Sequence, residues 1–248
     1  MSRGLGVDVG GSGIKGAVID LAAGEIIGKR RRVVTPSPST PRAVAKAVAR
    51  LTSRLDWDGP LGCTVPCVVQ SGVVGTAANI DPSWIGANGA SLISVATGLP
   101  TTLINDADAA GIAEMRLGAG RGRQGVVLML TFGTGIGSAL FIDGRLVPNT
   151  ELGHLVMWGG SAEHRAAAGA KTAEDLSWVK WAKRVDKYLA YVENLLWPDL
   201  LIAGGGVSRA HRKWLPLLHT RAEIVPAHFR NNAGIIGAAL AASEEGTL

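Results

Sequence analysis

The chain has 248 residues, 34 of them glycine, and its 25 basic and 20 acidic residues give a formal charge of +5. Glycine stands at about twice its usual level of ~7%. Even so, a hydrophobic fraction of 47% excludes disorder, the absence of a three-residue glycine period excludes collagen, and no long uncharged apolar run predicts a membrane span.

The length suits one large α/β domain or two closely joined lobes. The surplus base points to an anionic partner without choosing among nucleic acid, an anionic membrane and a phosphorylated small molecule. Met1–Lys15 does not read as a secretory leader, so a cytoplasmic protein is expected.

In chain order, Gly4–Val9 reads as a short apolar strand broken by Gly10-Gly11-Ser12-Gly13. Ile14–Ile19 predicts a second strand, and Asp20–Gly24 a turn before a third, Glu25–Val34. Prolines 36, 38 and 41 mark a linker, after which Thr40 can cap a helix with Pro41 at its first position. Ala43, Val44, Ala47, Val48, Leu51 and Leu55 give that helix one apolar face. Leu61–Val69, interrupted by Pro66, predicts a strand and Ser91–Thr97 a helix. Thr101–Ile104 predicts a strand running into Asn105-Asp106 and the helix Ala107–Leu117. The two cysteines, Cys63 and Cys67, have CxxxC spacing rather than the CxxC of redox or zinc sites, and read as small residues of a core strand.

The second half repeats the opening. Gly125–Leu130 predicts a strand, Thr131–Gly137 is glycine-rich, Ser138–Ile142 predicts a strand, and Asp143-Gly144 a turn. Setting Asp20 on Asp143 places Gly10 on Gly133, Asp8 on Thr131 and Ile19 on Ile142 without a gap. A duplicated α/β fold of two lobes, 1–106 and 107–248, is therefore expected. Ser177–Leu196 is a strongly amphipathic helix, with Trp178, Trp181, Val185, Tyr188, Leu189, Val192 and Leu196 on one face and Lys180, Lys183, Arg184 and Lys187 on the other. Leu200–Ala203 is a strand delivering Gly204-Gly205-Gly206, and Ala233–Ala242 a closing helix whose small residues permit close packing, expected against the first lobe.

Glycine loops expose backbone N–H groups that can bind phosphate oxygens. Three occur: Asp8–Lys15, Thr131–Gly137 and Gly204–Gly206. No GxxxxGK[ST] motif is present, and Gly4, Gly6 and Gly10 leave no room for the first strand of a dinucleotide fold. Asp8 beside a phosphate loop would repel phosphate unless a cation intervened, and Mg²⁺ held largely through water is the natural solution; a turn-capping Asp is the plainer reading. Asp106 reads either as a helix N-cap or as a general base for an attacking hydroxyl. Glu151-Leu-Gly-His154 could grip two hydroxyls of one polyol, or be a surface pair; zinc would need a third ligand, and no cysteine lies nearby.

Together these segments resemble the ROK sugar kinases, of the actin/hexokinase-like (ribonuclease H-like) fold with a sugar cleft between two lobes. Asp8-Val-Gly-Gly-Ser-Gly-Ile-Lys15 is similar to their first phosphate motif, Asn105-Asp106-Ala-Asp-Ala-Ala110 to their catalytic segment, and Thr131-Phe-Gly-Thr-Gly-Ile-Gly137 to their second phosphate motif. Glu151-x-Gly-His154 resembles the sugar motif, Ala203–Val207 the nucleotide-side motif, and Ala233–Ala239 the closing helix. Thr76–Asp81, Ser83–Gly86, Leu103–Gly111 and Asp175–Trp178 resemble the polyphosphate-dependent glucokinases among them.

The resemblance implies transfer of phosphate from Mg²⁺-bound polyphosphate or ATP to the 6-hydroxyl of glucose. Asp106 would be the catalytic base, and Asn79, Asn105, Asp106, Glu151, His154 and Glu163 the sugar site. Asp8, Gly10, Gly11, Ser12, Lys15, Thr131, Gly133, Thr134, Gly135, Gly204, Gly205 and Gly206 would form the donor site, with Lys15 equally readable as a structural residue of the hairpin. Leu155–Glu163 lacks the family's zinc cysteines, so no zinc is expected, and Pro66-Cys67 stands where the family usually has Pro-Gly. No nucleic-acid or membrane partner is expected, and the family implies a homodimer. An ATP-only hexokinase and a non-catalytic sugar-binding regulator are the rival readings; a DNA-binding regulator would carry a helix-turn-helix before Asp8. For a polyphosphate track the sequence offers Arg121, Arg123, Lys180, Lys183, Arg184, Lys187, Arg209, Arg212 and Lys213.

Overall fold

A computed structural model describes residues 2–243; Met1 and residues 244–248, at the outer limits of the two expected lobes, lie outside the described residues. The first elements are β1 (Arg3–Gly10), β2 (Gly13–Asp20), β3 (Glu25–Val33), α1 (Pro41–Thr52), β4 (Leu61–Val65), the short strands β5 (Val69–Gln70) and β6 (Val73–Val74), α2 (Gly89–Thr97), β7 (Thr101–Asn105) and α3 (Asp106–Leu117). Then come β8 (Val126–Phe132), β9 (Ile136–Ile142), β10 (Arg145–Val147), β11 (Val156–Met157), β12 (Gly160–Ser161), α4 (Glu163–Ala166), α5 (Ala168–Ala173) and α6 (Trp178–Leu196). The chain closes with β13 (Leu200–Gly204), β14 (Glu223–Pro226) and α7 (Ala233–Ser243).

The chain divides into two units, one running to Ala113 and resuming at Asn232, the other spanning Glu114–Asn231. The division falls inside α3. Each unit carries a five-stranded sheet, ordered β3-β2-β1-β4-β7 in the first and β10-β9-β8-β13-β14 in the second. In both, the first three strands are an antiparallel meander and the last two join in parallel. The duplication read from two glycine-rich hairpins thus extends to whole sheets. The hairpin tips differ: Gly10 pairs with Gly13 across a loop of Gly11 and Ser12, whereas Phe132 pairs with Ile136 across Gly133-Thr134-Gly135.

Several of the first unit's glycines serve packing. A Cβ on Gly6 of β1 would strike the carbonyl of Ile235, and one on Gly62 of β4 the carbonyl of Ala238, both in α7. A Cβ on Gly237 of α7 would strike the carbonyl of Ala109 in α3. Helix α7 therefore lies with its backbone directly on the sheet, which only glycine allows. The other face of β1 sends Leu5, Val7 and Val9 into a core with Val44, Val48 and Leu51 of α1. Cys63 and Cys67 are free thiols buried in that core, and burial, aided by Asp8, pushes the Cys63 thiol far up from its usual range.

The expected cap of α1 is present, the Thr40 side chain accepting from the Ala43 amide; α6 is capped as well, the Ser177 side chain accepting from the Lys180 amide. In the second unit the apolar face of α6 packs Trp181 edge-on against Phe132 and Trp214. The strand expected over Leu61–Val69 stops at Val65, because Pro66 cannot donate to a ladder; Val69 belongs to the β5–β6 hairpin. No helix among the described residues is long and apolar enough to cross a membrane.

Candidate active site

In the first unit, Asp8 does not end a strand or cap a turn. It lies inside β1, level with Lys15 of β2 on one side and Thr64 of β4 on the other. Its Oδ1 accepts from Thr64 Oγ1 at 2.9 Å, and its Oδ2 stands 3.5 Å from Lys15 Nζ. Thr64 was not singled out from sequence; a hydroxyl in an otherwise apolar buried strand was the available signal. Lys15 is both a hairpin residue and the carboxylate's counter-charge.

Asn105 ends β7 and Asp106 opens α3. The cap is Asn105, whose Oδ1 accepts from the amides of Ala107 (2.8 Å) and Asp108 (3.1 Å). Its Nδ2 donates to the Cys67 carbonyl at 3.0 Å, and the residue is 7% exposed. Asn105 is thus a structural residue of the fold, with one Nδ2 hydrogen beyond these bonds. It fixes the start of α3 and ties it to the Pro66-Cys67 segment. Asp106 is half-buried at the N-terminal end of α3. Asn79 is exposed, on irregular chain between β6 and the 3-10 turn Pro82–Trp84.

The second unit assembles the remaining residues. Ser138 of β9, 1% exposed, donates to the Thr150 carbonyl at 2.6 Å and accepts from the Leu152 amide at 3.1 Å, so it pins the backbone on both sides of Glu151. Gly153 presses on the Ile136 carbonyl so closely that a Cβ could not fit. Glu151 Oε2 and His154 Nε2 are 3.4 Å apart, and His154 Nδ1 lies 3.3 Å from Ser161 Oγ.

Glu163 opens α4 and reaches back to the second phosphate hairpin, its Oε2 accepting from the Ile136 amide at 3.0 Å. A Cβ on Gly135 would meet that same oxygen. The segment behind Glu163 is anchored by buried Trp181, whose Nε1 donates to the carbonyls of Ala166 (3.0 Å) and Ala167 (3.1 Å). Burial raises the Glu151 carboxyl above its usual range; His154 opposes this, and Glu163 adds to it. Sugar motif and second phosphate hairpin therefore form one connected structure.

Gly204 of β13 is level with Thr131 of β8, which brings the second and third glycine loops together at the carboxyl ends of parallel strands, where α/β sheets place ligands. Gly205 is required by packing against the Phe132 backbone and by its φ of +80°, whereas a Cβ on Gly204 would closely meet only the flexible end of the Met129 side chain. Gly11, Gly133 and Gly206 differ. One lies in each loop, none is in the left-handed region, and a Cβ on any of them would meet no atom within 4 Å. Neither backbone conformation nor packing within the protein requires glycine at these three positions. Open space over exposed amides is what an approaching phosphate needs.

Residues 4–165 match the model of the ROK family. A curated relative, the polyphosphate glucokinase of Mycobacterium tuberculosis (strain CDC 1551 / Oshkosh), is 54% identical over 246 residues, covering 99% of this chain and 93% of the relative. Among solved structures, the inorganic polyphosphate/ATP-glucomannokinase from Arthrobacter sp. strain KM matches with a TM-score of 0.95 and 46% identity, over 99% of this chain and 100% of that one. A ROK family glucokinase from Streptomyces griseus, in complex with glucose and AMPPNP, matches with a TM-score of 0.80 and 25% identity, over 98% of this chain and 100% of that one.

Proposed function

The chain belongs to the ROK family, and on that premise we propose that it transfers a phosphoryl group from inorganic polyphosphate, or alternatively ATP, to the 6-hydroxyl of glucose. The observation that carries this reading is the set of open glycines, Gly11, Gly133 and Gly206, one in each loop. They leave room for phosphate oxygens over backbone amides, so developing charge meets fixed dipoles rather than mobile water.

In this reading Asp106 accepts the proton of the attacking hydroxyl. Because a helix N-terminus stabilises its carboxylate, it works by position rather than by strong basicity. Glu151 and His154 bind sugar hydroxyls, with Asn79 and Glu163 as further contacts. Asn105 holds Asp106 in place, and the second hydrogen of its Nδ2 is left for a sugar hydroxyl. Gly10, Ser12, Thr134 and Gly135 complete the phosphate loops around the open glycines, while Thr131, Gly204 and Gly205 shape them.

Asp8 fits a water-held Mg²⁺. Each of its oxygens has one protein partner, Thr64 or Lys15, and retains a lone pair for a metal-bound water. When bound there, the ion neutralises donor charge. We place the enzyme in the cytoplasm as a homodimer, as the family resemblance implies.

The test is a coupled glucose 6-phosphate assay with each donor in turn, on the native protein and on Asp106→Asn. The substitution should lower turnover by on the order of 10²–10⁴ and leave glucose binding largely intact by calorimetry. Near-normal turnover in Asp106→Asn would remove the base assignment, and no product from the native protein with either donor would remove the function.

A further inference from the structure

The basic stripes offered by the sequence lie on the second unit, and two of their members are already neutralised: Arg184 pairs with Glu174, and Arg123 with Glu223. The first unit holds a different cluster. Strand β3 is the outer strand of its sheet and carries Lys29-Arg30-Arg31-Arg32, all exposed.

Arg32 is level with Lys15, and Lys15 with Asp8, so one rung across three strands presents Asp8, Lys15 and Arg32 on the same face. Arg32 folds inward over the hairpin tip. Its Nη2 donates to the Ser12 carbonyl at 2.8 Å, and its guanidinium occupies the direction in which a Cβ on Gly13 would point. Arg30 is anchored from beside the start of α7, its Nη1 donating to Asn232 Oδ1 at 3.0 Å.

Charge accounting separates these residues from Lys15. Asp8 offsets Lys15, whereas the partners of Arg30 and Arg32 are a neutral amide and a neutral carbonyl. Among the described residues no carboxylate pairs with either guanidinium. Basic residues on an edge strand also discourage strand-to-strand aggregation, but any outward lysine would do that. A guanidinium laid over the phosphate hairpin, beside the open Gly11, is not explained that way.

Building on the phosphotransferase reading above, we propose that Arg30 and Arg32 bind the phosphate units of the donor that lie beyond the one being transferred, and so favour long polyphosphate over short donors. The guanidinium fork matches phosphate oxygens bidentately and keeps its charge at any working pH. A chain with one charge per unit can engage both arginines while its terminal unit sits at the hairpin amides, and each contact releases counterions.

The experiment compares kcat/KM for long-chain polyphosphate with kcat/KM for ATP, and for inorganic tripolyphosphate as a second short donor, across a salt series. Arg30→Ala is the primary variant, because Arg30 does not touch the hairpin; Arg32→Ala and Arg30→Lys accompany it. In Arg30→Ala the long-to-short ratio should fall by about tenfold, and the log–log salt slope for long polyphosphate should flatten by roughly 0.7. Arg30→Lys should recover the slope but only part of the ratio.

An unchanged ratio, an equal loss on long and short donors, or an unchanged salt slope would each overturn the assignment. A native protein that makes no glucose 6-phosphate from any polyphosphate would instead overturn the functional reading, whatever the arginines do.

Discussion

Alanine at Gly62 and alanine at Gly11 should have opposite consequences, although both add one methyl group to a glycine of the same unit. The added methyl at Gly62 points at the Ala238 carbonyl, deep inside contact distance, with the Ala238 Cα 3.1 Å away. An ordinary contact begins near 3.4 Å. The obstructing atoms are helix backbone, so no rotamer change can relieve them; α7 must retreat by roughly an ångström or more. That retreat loosens Ile235, Ile236 and Leu240, all buried under the helix.

Overpacking typically costs about 1–3 kcal/mol, and a rigid backbone obstacle argues for the upper end, ~3 kcal/mol. For a chain of this size each kcal/mol shifts Tm by roughly 2–4 °C, so Gly62→Ala should melt about 6–12 °C lower. Gly11→Ala meets no atom within 4 Å. It should leave stability within about 0.5 kcal/mol but obstruct the phosphate, raising the donor KM or abolishing turnover. Thermal unfolding by circular dichroism and the glucose 6-phosphate assay read the two effects separately. A Gly62→Ala protein melting with the native one would refute the close-approach reasoning. A fully active Gly11→Ala would refute the reading of the open glycines as phosphate positions.

Two further predictions concern the second unit. Burial, reinforced by Glu163 and opposed by His154, makes Glu151 lose its charge at a higher pH than an ordinary carboxyl. Since the charged form is the better acceptor for sugar hydroxyls, kcat/KM for glucose should fall on the acid side starting above the usual carboxylate range. Glu163→Gln should move that limb to lower pH, and a limb that stays put would sever the two residues. The stability sign is the reverse: a raised carboxyl favours the folded state below its ordinary value, and that contribution fades as pH rises through the folded value. Trp181→Phe keeps the ring packing but leaves the Ala166 and Ala167 carbonyls without their shared donor. It should cost about 1–3 kcal/mol in urea unfolding and raise the KM for glucose through the displaced Glu163; an unchanged KM would detach Trp181 from the site.

The contrast between Gly62 and Gly11 also marks where sequence reading reaches its limit. Local pattern placed the hairpins, the α1 cap, helix α6 and the run into Asn105-Asp106 close to where they fold, because each is governed by residues a few positions apart. It also located the three glycine loops. What it could not do was sort the glycines within and beyond them. Gly6 and Gly62 are required by α7, and Gly237 of α7 by α3, each more than a hundred residues away in sequence, and no local pattern announces these approaches.

The same holds for Thr64 beside Asp8, Ser138 behind Glu151 and Arg32 over Ser12: each acts on a segment brought beside it by the fold and not by its own sequence neighbours. Asn105 adds a role that the family resemblance did not carry: a helix start needs a cap, and the residue before the first turn is the one placed to supply it. The glycine surplus therefore has several physical origins that composition cannot separate: contact with α7 and α3 inside the first unit, turns in the left-handed region such as those at Gly24 and Gly98, and open space above the loops. We assign only the last to the chemistry. The surplus charge divides in the same way, between arginines already spent on Glu174 and Glu223 and the two on β3 that still lack a counter-charge.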